Sequence, residues 1–282
     1  MQLGVFYFPT DYGIDVGELA RALEERGFES LFVPEHTHIP VSRRTPFPGG
    51  GELPRRYSHS HDPFIALAFA AAATRKLIIG TGVCLVPQHE PIALAKTIAS
   101  LDLLSGGRFE FGIGGGWNVD EMENHGARYN TRFKQMREYV LAMKEIWTKE
   151  EASYHGEFAK FDPIWSWPKP ARTPPILLGG ESDHTLRRVV EYCDGWFPRA
   201  MRGTFDAREA KDRMDRMATS MGRDPASVTI SVFGAPADPA VLAGYTKVGF
   251  QRALFGIPDA SRDEILRTLD TWAPLVAQKL AA

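Results

Sequence analysis

Eight times along its 282 residues the chain alternates a short apolar run with a segment of helical periodicity. The apolar runs lie at 3–8, 29–33, 76–83, 108–113, 175–178, 195–198, 228–233 and 252–255. Helical patterns follow them at 15–26, 63–74, 91–104, 131–149, 183–192, 205–221, 239–247 and 262–280. Runs such as Leu77-Ile78-Ile79 and Ile176-Leu177-Leu178 are apolar throughout, as strands covered on both faces are. Strands that alternate with helices build a parallel sheet, and eight such units in this length match a (β/α)8 TIM barrel. An open doubly wound sheet uses the same alternation, but the strand count favours the barrel. The expected organisation is α/β, a single barrel domain over 1–282, with a long loop at 39–62 and a small excursion at 153–170.

In such a barrel the reacting groups lie on the loops that follow the strands. The fourth strand, Arg108-Phe109-Glu110-Phe111-Gly112-Ile113, runs into Gly114-Gly115-Gly116-Trp117-Asn118. Glycines there permit a sharp turn and a close approach of backbone amides to a ligand. A dinucleotide fingerprint does not fit: counted from Gly112 it needs glycine at Trp117, and counted from Gly114 it needs glycine at Val119. After the fifth strand comes Gly179-Gly180-Glu181-Ser182-Asp183, in which Ser182 or Asp183 caps the next helix. Free amides at that helix N-terminus suit a phosphate.

The second strand ends in Pro34-Glu35-His36-Thr37-His38. Imidazole titrates near neutrality, so His36 beside Glu35 is a candidate proton carrier. His36 and His38, and His59 and His61, have the H-x-H spacing of metal sites, but the later strand ends offer only His184, inside a helix start, so no metal is expected. Cys84 and Cys193 have no C-x-x-C spacing, so neither a disulfide framework nor a zinc site is supported. A net charge of −2 gives no sign of nucleic acid or an anionic membrane as partner. The N-terminus reads as a strand rather than a leader, and the apolar stretch 63–74 is too short to span a bilayer, so a cytoplasmic protein is expected.

Taken in order, several of these pieces resemble the bacterial luciferase-like superfamily, and most closely its actinobacterial branch that uses coenzyme F420, a 5-deazaflavin. They are Phe32-Val33-Pro34-Glu35-His36, Ile79-Gly80-Thr81-Gly82-Val83, the glycine-rich fourth strand end with Trp117, Asn118 and Glu121, then Arg132. Tyr154-His155-Gly156-Glu157-Phe158, Pro175-Ile176-Leu177-Leu178-Gly179-Gly180 and Cys193-Asp194-Gly195-Trp196 complete the set. The resemblance implies a bulge and a non-prolyl cis peptide at Gly82–Val83 behind the deazaflavin ring. It also implies that Gly82, Val83, Gly114, Gly115, Trp117, Asn118, Gly179, Gly180, Glu181 and Ser182 line the cofactor. Glu35 and His36 match the acid and histidine near the ring. Sugar-phosphate dehydrogenase relatives carry an acid where Trp117 stands, so that substrate is not carried over.

The implied activity is hydride transfer between F420 and a small organic substrate, with His36 handling the proton. The alternatives are an FMN-dependent monooxygenase using reduced flavin and oxygen, or a barrel that binds cofactor without turnover. Arg43, Arg44, Arg55, Arg56 and Arg199 are candidate partners for an acidic cofactor tail. The loop at 39–62, rich in proline and glycine, is expected to be a lid or pocket wall. Relatives are commonly dimers, and the helix at 63–74 is a candidate homodimer face.

Overall fold

A computed structural model describes residues 1–200 and 205–280 of the chain. Its strands are β1 (Gln2–Phe6), β2 (Ser30–Val33), β3 (Ile78–Thr81), β4 (Cys84–Leu85), β5 (Phe109–Gly114), β8 (Ile176–Gly179), β9 (Gly195–Phe197), β10 (Thr229–Phe233) and β11 (Arg252–Gly256), with β6 (Glu151–His155) and β7 (Lys160–Trp165) set apart as an antiparallel hairpin. All other pairings are parallel, in the order β3-β2-β1-β11-β10-β9-β8-β5, and a β3–β5 pairing closes the ring. The closed parallel barrel is therefore the fold.

The third stave is not continuous. Val33 pairs with Thr81 of β3, whereas Cys84 and Leu85 pair with Ile113 and Gly114 of β5. Between them lies the implied cis peptide, Gly82–Val83. The run expected at 76–83 is thus split, because hydrogen bonding passes to the neighbouring strand across a bulge.

Helices α1 (Val16–Glu25), α3 (Pro63–Ala73), α4 (Pro91–Ser105), α6 (Arg132–Thr148), α7 (Asp183–Tyr192), α8 (Ala207–Ser220), α9 (Pro239–Lys247) and α10 (Arg262–Leu280) surround the strands, each end within two residues of the expected range. Their starts carry the caps the sequence supplies: Asp15 accepts from the Glu18 amide at 2.8 Å, Asp62 from Ile65 at 2.9 Å, and Ser182 from Thr185 at 3.2 Å. Two short helices, α2 (Arg56–His59) and α5 (Val119–Asn124), lie in segments that read as loop. Helix α3 buries Phe64, Leu67 and Ala70 and leaves Ile65 and Phe69 at the surface. Among the described residues no helix is long and apolar enough to cross a membrane.

The buried apolar residues form two bodies. The larger fills the space between strands and helices, from Leu3 to Val276. The smaller fills the lumen with Phe32, Leu177, Phe197 and Leu254, joined by Phe6, Val83 and Phe233. Below these rings, at the strand N-termini, Arg252 joins Glu29 at 2.7 Å and Glu110 at 2.7 Å. Above them, at the strand C-termini, the lumen opens.

Candidate active site

The opening is a cleft of about 440 Å³, within the range of small-molecule sites. Gly82 and Val83 of the bulge, Gly114, Gly115, Gly116 and Trp117 after β5, and Gly179, Gly180, Glu181 and Ser182 after β8 line it, above Phe197 and Phe233. Of the residues expected to contact cofactor, only Asn118 lies off this wall. Close packing explains two of the glycines. A Cβ on Gly114 would stand 2.6 Å from Val83 Cγ2, and one on Gly180, at φ +123°, 2.9 Å from Thr185 Oγ1.

His36 and Glu35 are neighbours in the chain but belong to different networks. His36 is buried, and its Nδ1 donates to Oε2 of Glu121 at 2.8 Å. A carboxylate only accepts, so this bond places a proton on Nδ1. The His36 ring stands edge-on to Trp117 of the cleft wall, centroids 5.8 Å apart, and against Tyr57 at 5.2 Å. Glu35 accepts from the Leu85 amide at 2.5 Å and from His89 Nε2 at 2.8 Å. Burial acts to raise the Glu35 pKa, but His89, the Leu85 amide and the Cys84 thiol outweigh it and hold the carboxylate below its usual range. Burial and Glu35 together push the Cys84 thiol up. The carboxylate of Glu35 therefore ties the bulge to the second strand. Glu35, Cys84 and His89 bring ligand-type atoms within 4.8 Å of one another, and these atoms are engaged in that hydrogen-bonded network.

The two H-x-H pairs are not assembled into one site. His38 Nε2 accepts from Asn124 Nδ2 at 2.9 Å, and His59 Nδ1 is 3.0 Å from Asp11. The expected arginines are likewise dispersed. Arg44 reaches Asp120 at 2.8 Å and Glu123 at 3.0 Å; Arg55 lies over Tyr12 and Arg56 over Phe8. Arg43 donates to the carbonyl of Thr45 within its own loop. Arg199 is on the cleft wall, with Nε and Nη2 on the two carboxylate oxygens of Glu181 at 2.8 and 2.7 Å.

Three groups behind the cleft wall are not singled out as site residues by the sequence. Arg132 and Arg188 flank Phe133, a wall residue, at 4.3 and 4.1 Å from its ring, and neither has a carboxylate partner among the described residues. Burial, then repulsion from Arg188, lowers the Arg132 pKa. Glu121 is the third. It is fully buried on α5, a helix too short for its periodicity to stand out.

These residues fit a flavin-like cofactor. Glycine walls above aromatic side chains suit a flat ring, and two uncompensated guanidiniums near the Ser182-capped helix suit a phosphate tail. Both amide atoms of Asn118 and of Gln88 are buried without a partner among the described residues, and so have hydrogen bonds to offer. Gln88 Nε2 lies 3.8 Å from where a Cβ of Gly116 would stand.

The profile of luciferase-like monooxygenases matches residues 8–238. The chain belongs to that family. An uncharacterized protein of Mycobacterium tuberculosis is 38% identical over 284 residues, which span 98% of this chain and 99% of the relative. The F420-dependent hydroxymycolic acid dehydrogenase of the same organism is 26% identical over 214 residues, 74% of this chain and 55% of that one. Among solved structures, monooxygenase RslO1 from Streptomyces bottropensis shares the fold, with a TM-score of 0.78 at 19% identity, covering 97% of this chain and 98% of its own.

Proposed function

We propose that this luciferase-like oxidoreductase transfers a hydride between coenzyme F420 and a small organic substrate. The observation that carries the reading is His36, held at Nδ1 by Glu121 and packed against Trp117, which itself lines the ring-sized cleft. Similarity to the F420-dependent hydroxymycolic acid dehydrogenase supports the choice of cofactor.

Bound F420 supplies a two-electron hydride carrier; the chain's residues bind, orient and shield it. Gly82, Val83, Gly114, Gly115, Gly179 and Gly180 would hold the ring, with Asn118 close behind. Ser182, with Arg188 and Arg132, would face the tail phosphate. Glu181 keeps Arg199 fixed at the wall. His36 gives or takes the substrate proton at Nε2, and Phe197 and Phe233 keep water out of the lumen below.

Fluorescence titration of the purified protein with oxidised F420 and with FMN tests this. Micromolar or tighter binding of F420 with weak FMN binding is expected. The reverse preference would overturn it in favour of an FMN-dependent monooxygenase, with oxygen uptake in the presence of reduced FMN as the next assay.

A further inference from the structure

Two buried glutamates flank this site, and their hydrogen bonding differs. Glu35 is saturated: a backbone amide, an imidazole and a thiol all point at its carboxylate. Glu121 is not. Its Oε2 takes the His36 ring, while Oε1 is buried with no partner among the described residues. A carboxylate used only to hold the fold together would satisfy both oxygens, because a buried acceptor without a donor is destabilising. A half-satisfied carboxylate instead gains when its one partner becomes a cation. Among the described residues that partner has one acidic contact, Glu121 at Nδ1.

The surroundings keep this pair in place. Helix α5, which carries Glu121, is tied to the segment carrying His36 by a row of polar contacts on either side. Thr37 Oγ1 is 2.7 Å from His125 Nε2, Ser42 donates to Asp120 at 3.0 Å, and the Val119 amide donates to Thr45 at 3.2 Å. The ring is wedged between Tyr57 and Trp117. Its orientation is thus defined by the neighbouring rings of Tyr57 and Trp117 and by Glu121 at one nitrogen.

We propose that Glu121 is the positioning residue of a His36–Glu121 dyad, which fixes the Nδ1–H tautomer so that Nε2 can accept a proton from a substrate hydroxyl. The O–H electron pair stays on the substrate oxygen, the proton moves to Nε2, and the resulting imidazolium is paired with Glu121. In the reductive direction the imidazolium returns that proton. The inference rests on the hydride-transfer reading above and assigns the residue that makes His36 competent in it.

The test compares wild type with Glu121→Gln, Glu121→Ala and His36→Ala, each checked for folding by thermal unfolding. The 15N resonances of the His36 ring in the cofactor-free protein come first. Wild type should carry its proton on Nδ1, and Glu121→Ala should show a tautomer mixture; a wild-type ring protonated only on Nε2 would overturn the proposal. Turnover of 2-propanol and cyclohexanol with oxidised F420 comes second. Glu121→Gln should lose about 10²-fold in kcat with KM and F420 affinity nearly unchanged, and the double variant with His36→Ala should be no slower than His36→Ala alone. An unchanged kcat in Glu121→Gln, or losses that multiply in the double variant, would remove Glu121 from the role. If wild type bound no F420, the hydride reading would fail, while the ring tautomer would still decide the dyad.

Discussion

Glu35 and His36 show what a single position in the sequence can and cannot reveal. Their residue types and their place after a strand mark them as chemistry-bearing, and both are buried at the strand end. Adjacent residues of an extended chain point to opposite sides, so one reaches back to Cys84, Leu85 and His89 while the other faces Trp117. The partners are 50 or more residues away and invisible in the local pattern. The Glu35–His89 pair has a pH signature. Burial acts to lower the His89 pKa, but the hydrogen bond and charge of Glu35 raise it above its ordinary 6.5. That contribution is complete below pH 6.5 and is lost as pH rises through the raised value. The Glu35 pKa is held below 4.5, so its contribution is complete above 4.5 and is lost as pH falls through the lowered value. The pair therefore stabilises most between these two ordinary values. Glu35→Gln should destabilise the protein by about 3 kcal/mol near pH 6 and by less near pH 9. Urea unfolding at both pH values measures this; equal losses would mean that the charge of His89 contributes nothing.

The strands and long helices are legible because burial imposes a period on them; the elements around the site are not. Helix α5 offers only Val119 and Met122 as apolar residues, too few for a period to register. The expected small excursion is a hairpin, Glu151–His155 with Lys160–Trp165, longer than its turn residues indicate. The loop at 39–62 reads as a lid from its proline and glycine content alone, and the structure adds the contacts by which a lid would be held. Arg44 bridges to the buried Asp120, Ser42 also bonds Asp120, and Thr45 accepts from Val119. At the loop's far end His59 meets Asp11, and Thr10 bridges Ser60. Arg44 is 66% exposed, so solvent screening leaves its ion pairs too weak to dominate global unfolding. They should instead set how often the loop lifts. Asp120→Asn is expected to raise the rate of tryptic cleavage at Arg43, Arg55 and Arg56 several-fold while the thermal midpoint moves by only a few degrees. Added F420 should suppress the cutting in both proteins. Identical cutting patterns with and without cofactor would sink the lid idea.

Closing the barrel brings together groups that the linear sequence keeps apart. Glu29, Glu110 and Arg252 each stand at or near the start of an expected strand, and nothing in the linear pattern pairs them. Ring closure places their side chains in one plane at the base of the lumen. Arg252 contacts both glutamates through paired nitrogens at 2.7–2.9 Å and lies beneath Phe32, 5.2 Å from its ring centre. Burial opposes its charge, but the two carboxylates outweigh that and raise its pKa. The base of the barrel is thus ionic, its middle aromatic, and its mouth glycine-lined, so stability and chemistry are assigned to opposite ends of the same strands. Arg252→Met keeps much of the side-chain volume and leaves two carboxylates without their cation. Breaking a buried pair in this way costs about 3–5 kcal/mol, which for a chain of this size lowers the thermal midpoint by roughly 10 °C. F420 affinity should be unchanged, because the aromatic layer separates this cluster from the cleft. Replacing Glu29, Glu110 and Arg252 together with apolar residues of similar volume should recover most of the loss, since no unpaired charge would remain. A triple variant as unstable as Arg252→Met would mean that the bidentate geometry of Arg252, rather than charge neutralisation alone, holds the strand ends in register.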